Sequence, residues 1–451
     1  MTHKAYLALA LPLTITTITT PLLGAVDTAV VGHMPDPAYI AAVAVGTIIF
    51  NTMYWLFGFL RVSTTGFTTQ SHGADDKEGM MLALIRPLLI ALLVGITLII
   101  LQWSITRLFL PLLTPDQNVQ SLATEYFSIR IWGAPFGLLN YVIIGWLMGM
   151  LMIKKTLFLQ LYLNLTNIVL DLFFVIILNW GVPGVASATL ISEITTFVIG
   201  LIIVLKVSPF ELKIPSMSKF MNTSSFKKMM QMNRDLFIRT FCLLIVFNLL
   251  TAKGASFGTE ILAANAILIQ VHFIMAYLFD GFANASSIMA GRAIGSRDHL
   301  LYKMTIRLSC QWAVFTSLII AGTYYLFDYR IFRLFTKIPE VLEEAQTYQS
   351  WILLFPLLAS FGIVLHGLYV GSTEAAPIRN SMIYALILFL MALFLTVPSL
   401  GNHGLWFAFI LFSVARSFFL LLFVPGLQKK LFPSNEIYDG KRGKIYIGMR
   451  S

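Results

Sequence analysis

Pro21-Leu-Leu-Gly-Ala-Val-Asp-Thr-Ala-Val-Val-Gly-His33 closes the first long apolar run of the chain and sets a carboxylate, Asp27, inside it. An ionised Asp at the centre of a spanning helix costs ~2.5–3.5 kcal/mol on insertion scales. A chain does not usually bear that cost on a lipid-facing surface. The stretch therefore reads as a membrane-spanning helix whose Asp27 faces protein and takes up a proton or holds a cation. The plainer alternative is a carboxylate near the helix end, wetted by bulk water. Pro12 and Pro21 interrupt the same helix. Proline removes a backbone hydrogen bond and permits a bend, so both are candidate hinges. A bendable helix carrying a titratable group suits an ion-driven switch.

The rest of the composition agrees. Of 451 residues, 58% are hydrophobic and 12% charged, where a soluble chain carries about 25% charged residues. The class is a polytopic, all-α membrane protein. The net charge of +10 does not point to nucleic acid, because most Lys and Arg residues fall in the gaps between apolar runs, as orientation signals do. The first run is far longer than a signal-peptide core and shows no small-residue cleavage site. Cys242 and Cys310 lie in apolar runs and read as small buried hydrophobes rather than a disulfide or metal site.

Twelve runs are long enough to span, at about 20 residues each: 6–32, 40–70, 82–109, 122–150, 156–178, 182–205, 236–255, 261–291, 302–327, 348–370, 381–400 and 405–424. An even number puts both termini on one side, and the Lys and Arg bias makes that side cytoplasmic. The expected organisation is an N-lobe (1–206), a basic cytoplasmic linker (207–231), a C-lobe (232–425) and a cytoplasmic tail (426–451). The halves look like copies. Tyr126-Phe-Ser128 recurs as Tyr348-Gln-Ser350, and Gly145-Trp-Leu-Met-Gly149 as Gly367-Leu-Tyr-Val-Gly371. Gly73-Ala-Asp-Asp76 recurs as Gly295-Ser-Arg-Asp298, and Gly181-Val-Pro-Gly184 as Gly401-Asn-His-Gly404. Each half has an even number of spans, so the repeats are parallel and related by an axis along the membrane normal. Two such halves frame a cleft that can open to either side in turn.

Other polar groups lie inside the runs. Asn167-Ile-Val-Leu-Asp171 stacks an amide and a second carboxylate on one helix face. Helix–helix glue is the plain reading, but a carboxylate is an expensive glue. Thr189 and Glu193 share a face of the sixth helix, and a Thr hydroxyl could complete a site with Asp171. A hydroxyl bonded to its own backbone is the commoner use. Asp280 lies mid-run in the eighth helix, with Arg239 and Arg416 in the seventh and twelfth, so a structural ion pair competes equally with a functional role. Arg61 and Arg130 could likewise pair with acids. Three acidic candidates against one place ion coupling in the N-lobe. Nineteen Met and 36 Phe suit a cleft for large apolar cations of many shapes, though most must simply pack or face lipid. No Walker A pattern, His/Cys metal spacing or nucleophile elbow appears. An enzyme is therefore not expected, and neither is a cofactor.

These residues resemble the multidrug and toxic compound extrusion (MATE) transporters, within them the DinF-like branch. The resemblance rests on the quoted 21–33 stretch, Leu60-Arg-Val-Ser-Thr-Thr-Gly66, Asn233-Arg-Asp235, Asp280-Gly-Phe-Ala283 and Gly401-Asn-His-Gly-Leu-Trp406. It implies two six-helix lobes in a V and export of amphipathic, often cationic, compounds driven by H⁺ or Na⁺. It also implies a cation site on Asp27, Asn167, Asp171 and Thr189, with Tyr126 and Asn140 as further polar neighbours and Pro12 as the first-helix bend. The expectation is a monomeric multidrug antiporter of the inner membrane, surrounded by lipid. The alternative within the superfamily is a flippase for a lipid-linked precursor, which would need a broad cationic cleft for a pyrophosphate head group; the sparse intramembrane arginines argue against it. An intramembrane enzyme would need a nucleophile or metal constellation that the sequence does not offer, and a non-transporting scaffold would not need two interior carboxylates in one lobe.

Overall fold

The computed structural model describes residues 2–31, 37–114, 116–209 and 223–432, with the backbone alone at 20–29, 31, 37 and 223. Asp27 and Pro21 thus lie on the first helix, but their side chains fall outside the described residues. The described chain is helical and contains no strand. Within lipid every backbone polar group needs an internal partner, and long apolar segments meet that demand as helices.

The N-terminal half runs α1 (His3–Val31), α2 (Pro37–Phe57), α3 (Phe59–Gly73), α4 (Lys77–Ile100), α5 (Gln102–Leu113), α6 (Gln117–Arg130), a 3₁₀ turn (Ile131–Gly133), α7 (Ala134–Gly149), α8 (Ile153–Asp171), a π-helical segment (Leu172–Ile177) and α9 (Gly181–Val207). The C-terminal half runs α10 (Thr223–Ala255), α11 (Thr259–Gly295), α12 (His299–Phe335), α13 (Pro339–Gly371), α14 (Ala376–Leu400) and α15 (Asn402–Leu431). Eleven described segments are long and apolar enough to cross a membrane, and the 29-residue α1 makes twelve. Several spans are jointed. The second breaks at Gly58 between α2 and α3, the third at Leu101 between α4 and α5, and the fourth at the 3₁₀ turn. The seventh begins at Thr223, inside the stretch read as a linker.

The internal repeat is geometric as well as sequential. Asp75 (φ 53°) and Arg297 (φ 55°) occupy the left-handed region in matching turns. Asp76 then caps α4 by accepting from the Gly79 amide, and Asp298 caps α12 by accepting from the Leu301 amide. Leu151 (φ 60°) and Thr373 (φ 54°) match in the same way. Each half closes on its own core. Phe50, Phe127, Leu138 and Trp146 lie in the N-lobe core, and Phe279, Phe355, Phe389 and Trp406 in the C-lobe core.

The lobes meet near the ends that carry the termini. Tyr6 Oη lies 2.9 Å from Ser286 Oγ, and Thr17 Oγ1 donates to the Tyr277 carbonyl at 2.8 Å. Gln70 Nε2 donates to the Gly371 carbonyl at 2.8 Å. Two helix crossings there are reciprocal under the repeat. A Cβ added at Gly73 would lie 2.4 Å from the Arg292 carbonyl oxygen, and one at Gly295 would lie 2.0 Å from that of Gln70. Only glycine allows backbones this close. Trp55 also meets Phe247 and Phe273 across the lobes. The two six-helix lobes form a V around a cleft, as in the solved transporters of this fold.

Candidate ion and substrate site

The N-lobe polar groups gather around α8 and α9. Asn167 and Asp171 project from one face of α8 and are 1% and 0% exposed. Asn167 Nδ2 donates to Thr189 Oγ1 of α9 at 3.1 Å. That hydroxyl in turn donates to the Val185 carbonyl at 3.2 Å, so its oxygen is fixed by its own helix. The α-helix gives way to π-helix directly after Asp171, and the π segment packs against α1 and α9. Such wide turns are rare and recur at functional sites. α1 packs along α8, where Asn164 Nδ2 donates to the Thr19 carbonyl at 3.3 Å. An amide, a hydroxyl and a fully buried carboxylate therefore sit on the helix pair that α1 covers.

A second group lies one turn further along α9. Glu193, 6% exposed, accepts from Tyr54 Oη at 3.1 and 3.2 Å through its two oxygens. Asn140 Nδ2 donates to the Glu193 backbone carbonyl at 2.9 Å. A Cβ at Gly133 would sit 2.4 Å from Glu193 Oε2, so glycine leaves the room that the carboxylate occupies. Arg130 donates to Tyr126 Oη, and its guanidinium lies over the Phe50 ring at 4.5 Å. Tyr126 also meets Thr47 Oγ1 at 3.3 Å. Thr189 and Glu193, at i and i+4 of α9, link the two groups.

The structure thus brings Asn167, Asp171 and Thr189 together, and Glu193, Asn140, Tyr126 and Arg130 beside them. Pro12 lies in α1, part-buried. Asp280 stands apart in the C-lobe, part-exposed. The ion pairs among the described residues do not include it. Sequence reasoning missed Tyr54, because an aromatic in an apolar run reads as core.

Two of the quoted motifs are structural clamps. Asp235 accepts from Arg379 Nη1 of α14 at 2.8 Å and from the neighbouring Arg234. Asn265 and Asn402 exchange amide hydrogen bonds at 2.8 and 3.0 Å, and Trp406 Nε1 donates to Asn265 Oδ1 at 2.8 Å. Buried polar groups closed on one another in this way hold helices in register.

Comparison with known proteins agrees with this architecture. The chain is 36% identical over 413 residues to DNA damage-inducible protein F of Escherichia coli, covering 92% of this chain and 90% of that one. It is 24% identical over 443 residues to a probable multidrug resistance protein NorM of Bacillus subtilis, covering 95% and 96%. A solved outward-facing multidrug resistance MATE family transporter superposes with a TM-score of 0.85 at 21% identity, covering 95% of this chain and 97% of that one. The MatE family model matches residues 12–173 and 236–397, one match in each lobe. With two six-helix lobes around a cleft and a match in each, the chain belongs to the MatE family of multi-pass membrane transporters.

Proposed function

We propose that the chain is a secondary exporter of small amphipathic, often cationic, compounds, working as a monomer in the inner membrane with both termini cytoplasmic. Inward flow of H⁺ drives it, with Na⁺ as the other candidate ion. The observation that carries this reading is the Asp171–Asn167–Thr189 group, a fully buried carboxylate with an amide and a hydroxyl against the proline-bearing α1. A carboxylate there exchanges between a charged and a neutral state. A helix with Pro12 and Pro21 can bend in response, and Asp27 on α1 would join the same site. The multidrug resistance description of the Bacillus subtilis relative supports the substrate class.

In the outward-facing half of the proposed cycle the cleft opens opposite the cytoplasmic ends. Substrate binds while the N-lobe carboxylates are charged. Ion entry from outside neutralises them, α1 bends, and the N-lobe side of the cleft narrows and expels the substrate. Coupling requires the ion and the substrate each to favour a different state. The test is efflux of a fluorescent lipophilic cation from proteoliposomes under a proton gradient or a sodium gradient, imposed separately. Wild type should export under at least one gradient, and Asp27→Asn should abolish that export in folded protein. Full gradient-driven export by Asp27→Asn would remove Asp27 from the coupling path.

A further inference from the structure

We propose that the C-lobe wall of the cleft binds the anionic head group of an amphipathic substrate. This goes beyond the exporter reading, since it adds an anionic class to the cationic compounds proposed above, and it rests on that reading for the cleft's role. Arg239 of α10, Asp280 of α11 and Arg416 of α15 are mutual electrostatic neighbours, and Arg61 of α3 reaches Asp280 from the other lobe. His366 of α13 neighbours Arg239 and Arg416. Arg61, Arg239, Asp280, His366 and Arg416 are all part-exposed. Three guanidiniums therefore gather around a single carboxylate.

Their surroundings differ from those of a structural pair. Asp235 shows what such a pair looks like here, with an arginine at 2.8 Å. No ion pair among the described residues includes Arg61, Arg239, Arg416 or Asp280. Arg416 Nε and His366 Nε2 are buried without a hydrogen-bond partner, as is Nδ1 of His272, which is only 6% exposed. Arg239 and Arg416 lie near the middle of 33- and 30-residue helices. Positive charge at that depth is costly unless something offsets it. Guanidinium is the group best shaped to take a carboxylate or phosphate through paired N–H bonds.

An apolar surface adjoins the cations. The Phe247 and Phe273 rings lie 4.9 Å apart between centroids, tilted at 43°, and Trp55 closes on both from the other lobe. His272 lies against Phe355 and Phe409 at 4.1 and 4.9 Å. Among the described N-lobe acids inside the spans, Asp171 and Glu193 are buried in their lobe. An anionic head over a flat or aliphatic body fits this wall, whether the head is the carboxylate of a free amphiphile or the phosphate of a lipid.

Equilibrium binding tests this in the purified full-length protein without a gradient, using dansyl-undecanoate as the fluorescent probe. The competitors are decanoate, farnesyl phosphate, decanol and decyltrimethylammonium. Decanoate or farnesyl phosphate should displace the probe about tenfold better than decanol. The stronger of the two identifies a free carboxylate or a lipid phosphate as the source. Asp280→Asn should tighten probe binding and Arg416→Gln should weaken it, with Arg416→Lys in between. Opposite shifts from two neighbouring substitutions cannot both come from misfolding. Equal displacement by decanol and decanoate, or shifts of the same sign in Asp280→Asn and Arg416→Gln, would overturn the proposal. Because no ion gradient is applied, failure here leaves the coupling reading intact, and failure of coupling leaves these affinities unchanged.

Discussion

Gly295→Ala should open the seal between the lobes without weakening either lobe. The added methyl would lie 2.0 Å from the Gln70 carbonyl oxygen and 2.9 Å from the Ala74 amide nitrogen, both backbone atoms of the opposite lobe. Backbone cannot rotate away as a side chain can, so α11 and the end of α3 must separate by about an ångström. Overpacking of this kind costs about 1–3 kcal/mol. The cost falls only on the state sealed at this end, so the equilibrium should shift toward the opposite state by about 5–150-fold. Spin labels at Lys77→Cys and His299→Cys, exposed residues on opposite lobes, report the separation by pulsed dipolar spectroscopy in a background with Cys242 and Cys310 replaced. The control is Gly367→Ala, whose methyl would lie 2.0 Å from the Ala283 carbonyl oxygen within the C-lobe. Gly295→Ala should populate longer distances at little change in Tm, and Gly367→Ala should lower Tm at unchanged distance. The reasoning is refuted if Gly295→Ala leaves the distance distribution as in wild type and only lowers Tm.

Three further substitutions probe single contacts. Thr189→Val removes the oxygen that Asn167 bonds at 3.1 Å; the H⁺ or Na⁺ concentration for half-maximal transport should rise, with the protein still folded. Tyr54→Phe strips both oxygens of buried Glu193 of a donor, which costs about 1–3 kcal/mol and should appear as a lower Tm in thermal unfolding. Asn265→Ala leaves the Asn402 amide and the Trp406 indole without their shared partner. It should lower Tm by at least as much, with the substrate affinity of the surviving folded fraction unchanged.

Much of the fold is legible in the sequence. Spans follow from apolar length, and the repeat follows from glycine and aspartate motifs because close helix crossings and tight turns demand those residues at fixed places. Asn167 and Asp171 were legible as neighbours on one helix face, and Thr189 as a hydroxyl of the next helix, which Asn167 reaches at 3.1 Å. The breaks at Gly58, Leu101 and residues 131–133 were not, since an interrupted helix has the same apolar composition as a straight one. The gathering of Arg61, Arg239, Arg416 and Asp280 was not legible either. It depends on how four helices from two lobes lean together, which no local spacing records. Tyr54 was hidden for a related reason, because its ring belongs to the core and only its hydroxyl reaches Glu193 across the N-lobe.

The central claim is that the buried N-lobe carboxylates link ion binding to substrate binding, and thermodynamic linkage tests it most directly. Substrate affinity should be measured in the purified protein across pH, with and without Na⁺, for wild type and Asp171→Asn. Wild type should bind a lipophilic cation more weakly as pH falls or Na⁺ rises, because neutralising the carboxylates favours the state that expels substrate. Asp171→Asn should flatten that dependence. A wild-type affinity indifferent to both ions would contradict the claim.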